Sequence, residues 1–125
     1  MTGSLFRVGT LLAVAAGGAA GGLLRAGLGE VETGWPWPTL LVNLAGAFLL
    51  GLVVMYGRRH WSPTLVAGVS VGLLGALTTF STVTGELWGM LDAGDWSTFY
   101  SYTAASLLGG LVAAGTGVRV GRFVR

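Results

Sequence analysis

The chain has 125 residues, of which 53% are hydrophobic and only 10% are charged, and its mean hydropathy is +0.75. About a quarter of the residues in a soluble domain are charged, so this composition excludes an ordinary water-soluble domain and indicates a lipid bilayer as the surroundings. The net charge of +2, without a basic patch interleaved with aromatic residues, gives no reason to expect a nucleic-acid partner. The absence of cysteine excludes disulfide frameworks and thiolate metal sites.

Four apolar stretches separated by short charged segments predict four transmembrane helices. The stretches cover about residues 5–28, 38–57, 63–91 and 97–120. Each is at least as long as the roughly 20 residues that a helix needs to cross a bilayer core of about 30 Å. All five tryptophans lie near the ends of these stretches, as expected at the two headgroup layers. Because the helices use nearly the whole chain, we expect a single all-α membrane domain over residues 1–125.

The charged residues predict how the helices are oriented. With four spans, the two termini and the second loop share one side of the membrane. This side carries six of the seven arginines: Arg7, Arg58, Arg59, Arg119, Arg122 and Arg125. The other side carries Glu30, Glu32, Asp92 and Asp95, with Arg25 close to it. The positive-inside rule therefore predicts a multi-pass protein of the plasma membrane with both termini in the cytoplasm.

Glycines at four-residue spacing predict closely packed helices. The chain has 23 glycines, and the spaced pairs are Gly17/Gly21, Gly18/Gly22, Gly68/Gly72 and Gly117/Gly121. Small residues at this spacing allow two helix backbones to approach each other in lipid. We therefore expect a tightly packed bundle that forms an oligomer.

The residues do not assemble into an enzyme active site. The one histidine, His60, lies in an arginine-rich turn, and Glu86 is the one acidic residue inside a predicted span. Paired carboxylates, a nucleophile with a neighbouring base, and a phosphate-binding loop are all missing from the pattern. We therefore expect no enzymatic activity.

The third predicted helix carries five hydroxyl residues within seven positions near its middle: Thr78, Thr79, Ser81, Thr82 and Thr84. Their side chains can compete for the hydrogen bonds of the helix. Two arrangements fit this pattern. The helix could break and expose backbone carbonyls that suit a small cation, which is tolerable only inside protein or beside an aqueous cavity. Alternatively, a continuous helix could carry hydroxyls bonded to the preceding turn.

Three segments together resemble the Fluc (CrcB) fluoride channels. They are Gly17-Gly18 through Arg25, the segment Thr39-Leu40-x-Val42-Asn43-x-x-Gly46-x-Phe48, and the segment Gly75-x-x-Thr78-Thr79-Phe80-Ser81-Thr82. Their order and spacing, and the length of the chain, are similar to those of the family across all four helices. The resemblance implies a subunit of a passive fluoride-selective channel that exports fluoride from the cytoplasm and so lowers its toxicity.

The resemblance also implies an assembly and a set of site residues. Channels of this family are antiparallel dimers of four-helix subunits, with a break in the third helix, two fluoride pores and a structural sodium ion at the dimer centre. The backbone carbonyls of Gly75 and Thr78 would hold the sodium ion. Arg25 would lie in the vestibule, and Glu86 matches a recurrent acid of the third helix. The residues of the fluoride path would be Asn43, Phe80, Ser81, Thr82, Tyr102 and Ser106.

The sequence departs from the family pattern in ways that predict a heterodimer. Val83 stands where the family usually has a second phenylalanine, and Gly110 replaces a hydroxyl residue that often follows Ser106 on the fourth helix. An antiparallel homodimer also needs a chain that inserts in both orientations, whereas the arginine bias here is six to one. We therefore expect a homologous partner subunit of opposite orientation that supplies the missing phenylalanine.

Two further functions fit parts of the pattern. A non-conducting subunit could retain the packing glycines and lose pore residues such as the one replaced by Val83. A small proton-coupled multidrug exporter has a similar size, but its chemistry needs a carboxylate in the first helix, and no acidic residue precedes Glu30.

Overall fold

The computed structural model describes residues 2–29, 31 and 33–124, with side chains from residue 7 onward. Five helices follow one another in this part of the chain: α1 (Thr2–Gly29), α2 (Trp37–His60), α3 (63–77), α4 (Phe80–Asp92) and α5 (Trp96–Phe123). Helices α3 and α4 together form the span Pro63–Asp92. The described residues thus contain four segments that are long and apolar enough to cross a membrane, as the sequence predicts.

Local side-chain chemistry sets where the helices begin. Ser62 caps α3 by accepting a hydrogen bond from the backbone N–H of Leu65 at 3.2 Å, and Pro63 occupies the first helical position, where its missing N–H is not needed. Asp95 caps α5 in the same way through the N–H of Thr98 at 3.1 Å. Gly94, with a φ of 69°, makes the tight turn between α4 and α5.

Two helices contain a wide π-helical segment that the sequence does not predict. The segments are Val53–Gly57 in α2 and Gly68–Leu74 in α3. In the second one the Ser70 hydroxyl donates to the carbonyl of Val66 at 2.6 Å, so this polar group is satisfied within its own helix. The two segments contact each other where α2 and α3 lie side by side.

Glycine contacts bring the helices together in two parallel pairs. In the first pair, Gly17 and Gly21 of α1 lie directly against the backbone of α3 near Gly68 and Leu73. In the second pair, Gly51 of α2 faces the backbone of α5, and Gly117 and Gly121 of α5 face the backbone of α2. Three of the four predicted glycine pairs therefore form close contacts within the chain. A Cβ added at Gly18 or Gly22 would meet no atom within 4 Å, so that pair faces outward.

The parallel pairs bring most of the arginines to one end of the bundle. Thr10 near the start of α1 lies 3.2 Å from Thr64 at the start of α3, measured between their hydroxyl oxygens. Gly121 near the end of α5 packs against Met55 and Leu52 near the end of α2. The described arginines at this end are all exposed: Arg7, Arg58, Arg59, Arg119 and Arg122.

Candidate functional site

The third span is broken at its midpoint. Helix α3 ends at Leu77, Thr78 and Thr79 are extended with ψ angles of 151° and 123°, and α4 begins at Phe80. The predicted break is therefore confirmed. The alternative of back-bonded hydroxyls also occurs on both sides of it, because Thr78 Oγ1 donates to the carbonyl of Leu74 and Thr84 Oγ1 donates to the carbonyl of Phe80, each at 2.9 Å.

Asn43 of α2 holds the break open. Its Nδ2 donates to the carbonyl of Thr79 at 3.0 Å, and its Oδ1 accepts from the Thr79 N–H at 2.9 Å. One side-chain amide thus pairs with both backbone groups of one extended, buried residue. In an uninterrupted helix, the Thr79 N–H would donate to the carbonyl of Gly75. Its use by Asn43 frees that carbonyl from its helical partner.

A hydroxyl cluster begins the second half of the span. Thr79 Oγ1 caps α4 by accepting from the N–H of Thr82 at 3.1 Å. The same hydroxyl lies 3.0 Å from Thr82 Oγ1 and 3.2 Å from Ser81 Oγ. Ser81 is itself exposed on the surface of the subunit. Because hydroxyl hydrogens can rotate between partners, this cluster can present either donors or acceptors to a passing solute.

A groove of about 400 Å³ opens beside the break, and we call it the central groove. Several residues that the sequence singles out line it, among them Asn43, Gly75, Thr78, Phe80, Val83 and Ser106. The Phe80 ring is 85% exposed at this surface. Ser106 Oγ is buried and finds no hydrogen-bond partner among the described residues. Three of the six residues that the sequence assigns to the fluoride path (Asn43, Phe80 and Ser106) therefore line one groove, whereas Ser81, Thr82 and Tyr102 are not part of its lining.

Arg25 borders a second cleft, of about 360 Å³, on the other side of the break. Thr39, Thr79 and Thr82 also line this cleft. Thr79 is common to the two cavities, so the hydroxyl cluster lies between the central groove and the Arg25 cleft. Arg25 itself is exposed.

Tyr102 lies apart from the central groove surface and is completely buried. Its hydroxyl donates to Glu86 Oε2 at 2.5 Å, and the hydroxyl of Thr39 donates to Glu86 Oε1 at 2.6 Å. The Trp35 ring meets the Tyr102 ring edge-on, with centroids 5.4 Å apart. These contacts tie α4 to α2 and α5 through one carboxylate.

Two residues of this region have a larger part in the structure than the sequence predicts. The sequence marks Thr79 only as one of five hydroxyls, whereas its backbone is the partner of Asn43. It marks Glu86 as a match to the family without indicating a partner. The rarity of acidic residues inside membrane spans is the signal that points to Glu86, whereas no local signal identifies Thr39 as its donor.

The sequence of the chain matches one family of known proteins over most of its length. The family described as CrcB-like protein, Camphor Resistance (CrcB), matches residues 12–118. The chain belongs to this CrcB-like family.

Relatives from several bacteria align with this CrcB-like chain over most of its length. The protein named fluoride-specific ion channel FluC in Bordetella petrii is 42% identical over 118 residues, covering 91% of this chain and 92% of its own. A protein of Mycolicibacterium paratuberculosis named fluoride-specific ion channel FluC 1 is 40% identical, with 92% of both chains covered. One from Chloroflexus aurantiacus, again named fluoride-specific ion channel FluC, is 37% identical over 90% of this chain and 95% of its own. The CrcB-like match includes every residue that lines the central groove and the Arg25 cleft.

Proposed function

We propose that the chain is a subunit of a fluoride-selective channel that lets fluoride leave the cytoplasm by passive conduction. The observation that carries the proposal is the break in the third span. It gathers an amide, several hydroxyls and the exposed Phe80 ring around one groove, in a chain whose relatives are named fluoride-specific ion channels. The proposal includes the absence of enzymatic activity, since conduction of an ion needs no bond to be made or broken.

The groups in the central groove suit a small, strongly hydrated anion. A pore must replace the water around such an ion without binding it too tightly to release it. The Asn43 amide has a second hydrogen beyond the one given to Thr79, and Ser106 contributes a hydroxyl without a described partner. The edge of an aromatic ring carries partial positive charge, so Phe80 can face an anion with its edge. Arg25, outside the groove, can attract anions to the vestibule without trapping them.

We propose that a structural sodium ion is bound at the break by the backbone carbonyls of Gly75 and Thr78. Freed carbonyl oxygens are suitable ligands for a hard cation, and the Asn43–Thr79 pairing frees the carbonyl of Gly75. Gly75 is exposed and Thr78 half-exposed on the surface of the subunit, so a second subunit can complete the ligand set. When bound, the ion supplies a fixed positive potential near the pore. Sodium should therefore raise the unfolding temperature of the assembled protein above its value in a bulky organic cation.

We further propose an antiparallel dimer with a homologous subunit that has the opposite charge bias. The five described arginines at one end of the bundle support insertion in one orientation, with both termini in the cytoplasm. Val83 lines the central groove beside Phe80, so a second aromatic ring would have to come from the partner. The comparisons favour neither of the two alternatives, the non-conducting subunit and the proton-coupled exporter.

Ion efflux from liposomes tests the channel proposal. The purified chain, alone and with a co-expressed subunit of opposite charge bias, is reconstituted, and fluoride and chloride efflux are recorded. We expect fluoride efflux without chloride efflux from the pair. Selective efflux from the chain alone would support the channel and reject the obligate heterodimer. A pair that conducts no fluoride would reject the channel.

Two exposed phenylalanines give a matched control for the site. Phe80 is 85% exposed at the central groove, and Phe123 is 84% exposed at the end of α5. In a conducting preparation, Phe80→Leu should slow fluoride efflux, and Phe123→Leu should leave it unchanged. Equal rates in the two variants would contradict the role of Phe80.

A further inference from the structure

A groove of about 520 Å³, distinct from the Arg25 cleft, lies toward the arginine-rich end of the bundle. It runs between α2 and α3, and we call it the α2–α3 groove. Val54 and Arg58 of α2 line one wall, Val66 and Val71 of α3 line the other, and Trp61 lies at its end. Between Pro63 and Val71 it follows about 12 Å of helix.

The wall of the α2–α3 groove is apolar below its mouth. Ser70 lies on this wall, but its hydroxyl is bonded to the Val66 carbonyl at 2.6 Å. The described lining contains no glycine, whereas the helix contacts inside the bundle depend on glycines such as Gly21 and Gly117. Close helix packing in membranes favours small residues, so this groove fits a flexible chain better than it fits another helix.

The mouth of the groove is cationic and lies where lipid headgroups are found. Arg58 is exposed there, next to Trp61, and tryptophan is typical of the headgroup layer. Trp61 is held in place by its backbone bond to the carbonyl of Gly57 at 2.8 Å and by an edge-on contact with the Tyr56 ring. The acidic residues of the described chain (Glu86, Asp92 and Asp95) lie on α4 or after it, beyond the break.

We propose that the α2–α3 groove binds an anionic phospholipid. The phosphate of its headgroup pairs with Arg58, and one acyl chain lies along Val54, Val66 and Val71. A guanidinium and a phosphate form strong charge-assisted hydrogen bonds, and the apolar wall supplies contacts along the chain. The α2–α3 groove meets the central groove at Ser70, which lines both, but Arg58 and the wall residues Val54, Val66 and Val71 line only the α2–α3 groove, so the proposal does not depend on which ion the protein conducts.

Lipid binding in a nonionic detergent tests the site, because a micelle has no charged bilayer surface to attract lipid generally. The complete protein is titrated with phosphatidylglycerol and, as a reference, phosphatidylcholine, and bound lipid is counted by native mass spectrometry. Arg58→Gln should weaken phosphatidylglycerol binding about tenfold, as expected for the loss of a charged hydrogen bond. Arg59→Gln is the matched control, since Arg59 is exposed but does not line the groove, and it should bind as the unchanged protein does.

A second variant tests the position of the acyl chain. Val71 is 64% exposed at the inner end of the groove, so Val71→Trp can fill the groove without disturbing the core. It should weaken binding of long-chain phosphatidylglycerol and spare a short-chain form that reaches only Arg58. Equal losses in Arg58→Gln and Arg59→Gln would overturn the proposal. So would loss of the dimer in Val71→Trp with lipid binding intact, because the groove would then be covered by a second subunit.

Discussion

Asn43 carries out two structural tasks with one side chain. Its amide satisfies both the N–H and the carbonyl of Thr79, and in doing so it keeps α3 from running on into α4. An isolated side-chain hydrogen bond between membrane helices is worth only about 0.6 kcal/mol on average, because the unfolded chain finds other partners. Here the partners are buried backbone groups of an extended residue, so their loss leaves a donor and an acceptor unpaired.

Asn43→Ala should therefore lower the free energy of unfolding by about 1–3 kcal/mol. Asn43→Asp should also be destabilising, because a carboxylate can accept from the Thr79 N–H but places an oxygen against the Thr79 carbonyl. Unfolding in mixed micelles, followed by helical circular dichroism, measures both changes. Thr79→Val is the control that keeps the backbone pairing and removes the cap, worth about 1 kcal/mol, together with the hydroxyl contacts to Ser81 and Thr82. An Asn43→Ala protein as stable as the unchanged one would show that the break does not depend on the amide.

The sequence predicts single site residues better than it predicts their partners. Asn43 and Thr79 stand out as polar residues in apolar spans, but they are 36 positions apart, and no local pattern links them. The pairing of Glu86 with Thr39 spans 47 positions and is equally hidden. For the same reason the five hydroxyls leave two arrangements open, since the contact that selects the break comes from another helix.

Helix α1 depends on glycines that face α3. A Cβ at Gly21 would overlap the Leu73 carbonyl oxygen, whereas a Cβ at the neighbouring Gly22 would meet nothing within 4 Å. Gly21→Ala should therefore destabilise the fold by about 1–3 kcal/mol, the usual effect of overpacking. Gly22→Ala should change the free energy of unfolding by less than about 0.5 kcal/mol.

The same micelle assay compares these two variants, which differ by one position and add the same methyl group. Equal stability would show that α1 is not held against α3 as described. The spacing of four residues predicts close packing at both positions, and only the structure separates the glycines that face α3 from those that face outward.

The start of α5 should respond to acid. Hydrogen bonds from the side chain and the backbone N–H of Thr98 lower the pKa of Asp95 below its ordinary value of 3.8. A carboxyl group with a lowered pKa in the folded state stabilises the fold above its unfolded pKa, and this contribution is lost as the pH falls through the folded value. The contribution of Asp95 to the free energy of unfolding should thus be constant from about pH 7 to 5 and should decline below about pH 4.

Asp95→Asn isolates this contribution, because the amide oxygen can still cap the helix but does not titrate in this range. Thermal unfolding across the pH range should show a shallower acid decline for Asp95→Asn than for the unchanged protein. Identical pH profiles would show that protonation of Asp95 does not change the stability of the fold.

Across the whole molecule, hydropathy predicts the four spans because lipid requires long apolar helices, and those spans are present in the described residues. The pairing of the spans is less predictable. Helix α1 packs along α3 and α2 along α5, although neighbours in the sequence are the usual partners. Glycine placement decides this pairing, and the position of a glycine in the sequence does not show which helix it faces. The π-helical segments, such as Gly68–Leu74, are not predicted by the hydropathy or the charge pattern.

The charge distribution leads to the last prediction, which concerns orientation. A chain with five of its six described arginines at one end should insert one way, and the chain has no cysteine, so single cysteines report its topology cleanly. In intact cells, a membrane-impermeant thiol reagent should label Ala93→Cys and should not label Val124→Cys. Replacing Arg58 and Arg59 with Gln should send a fraction of the protein to the opposite orientation, because it weakens the positive-inside signal. If the protein that keeps all its arginines were labelled at both positions, two copies of this chain could form an antiparallel dimer. The heterodimer would then be unnecessary, and Val83 would have to be explained by a pore that works with one phenylalanine per subunit.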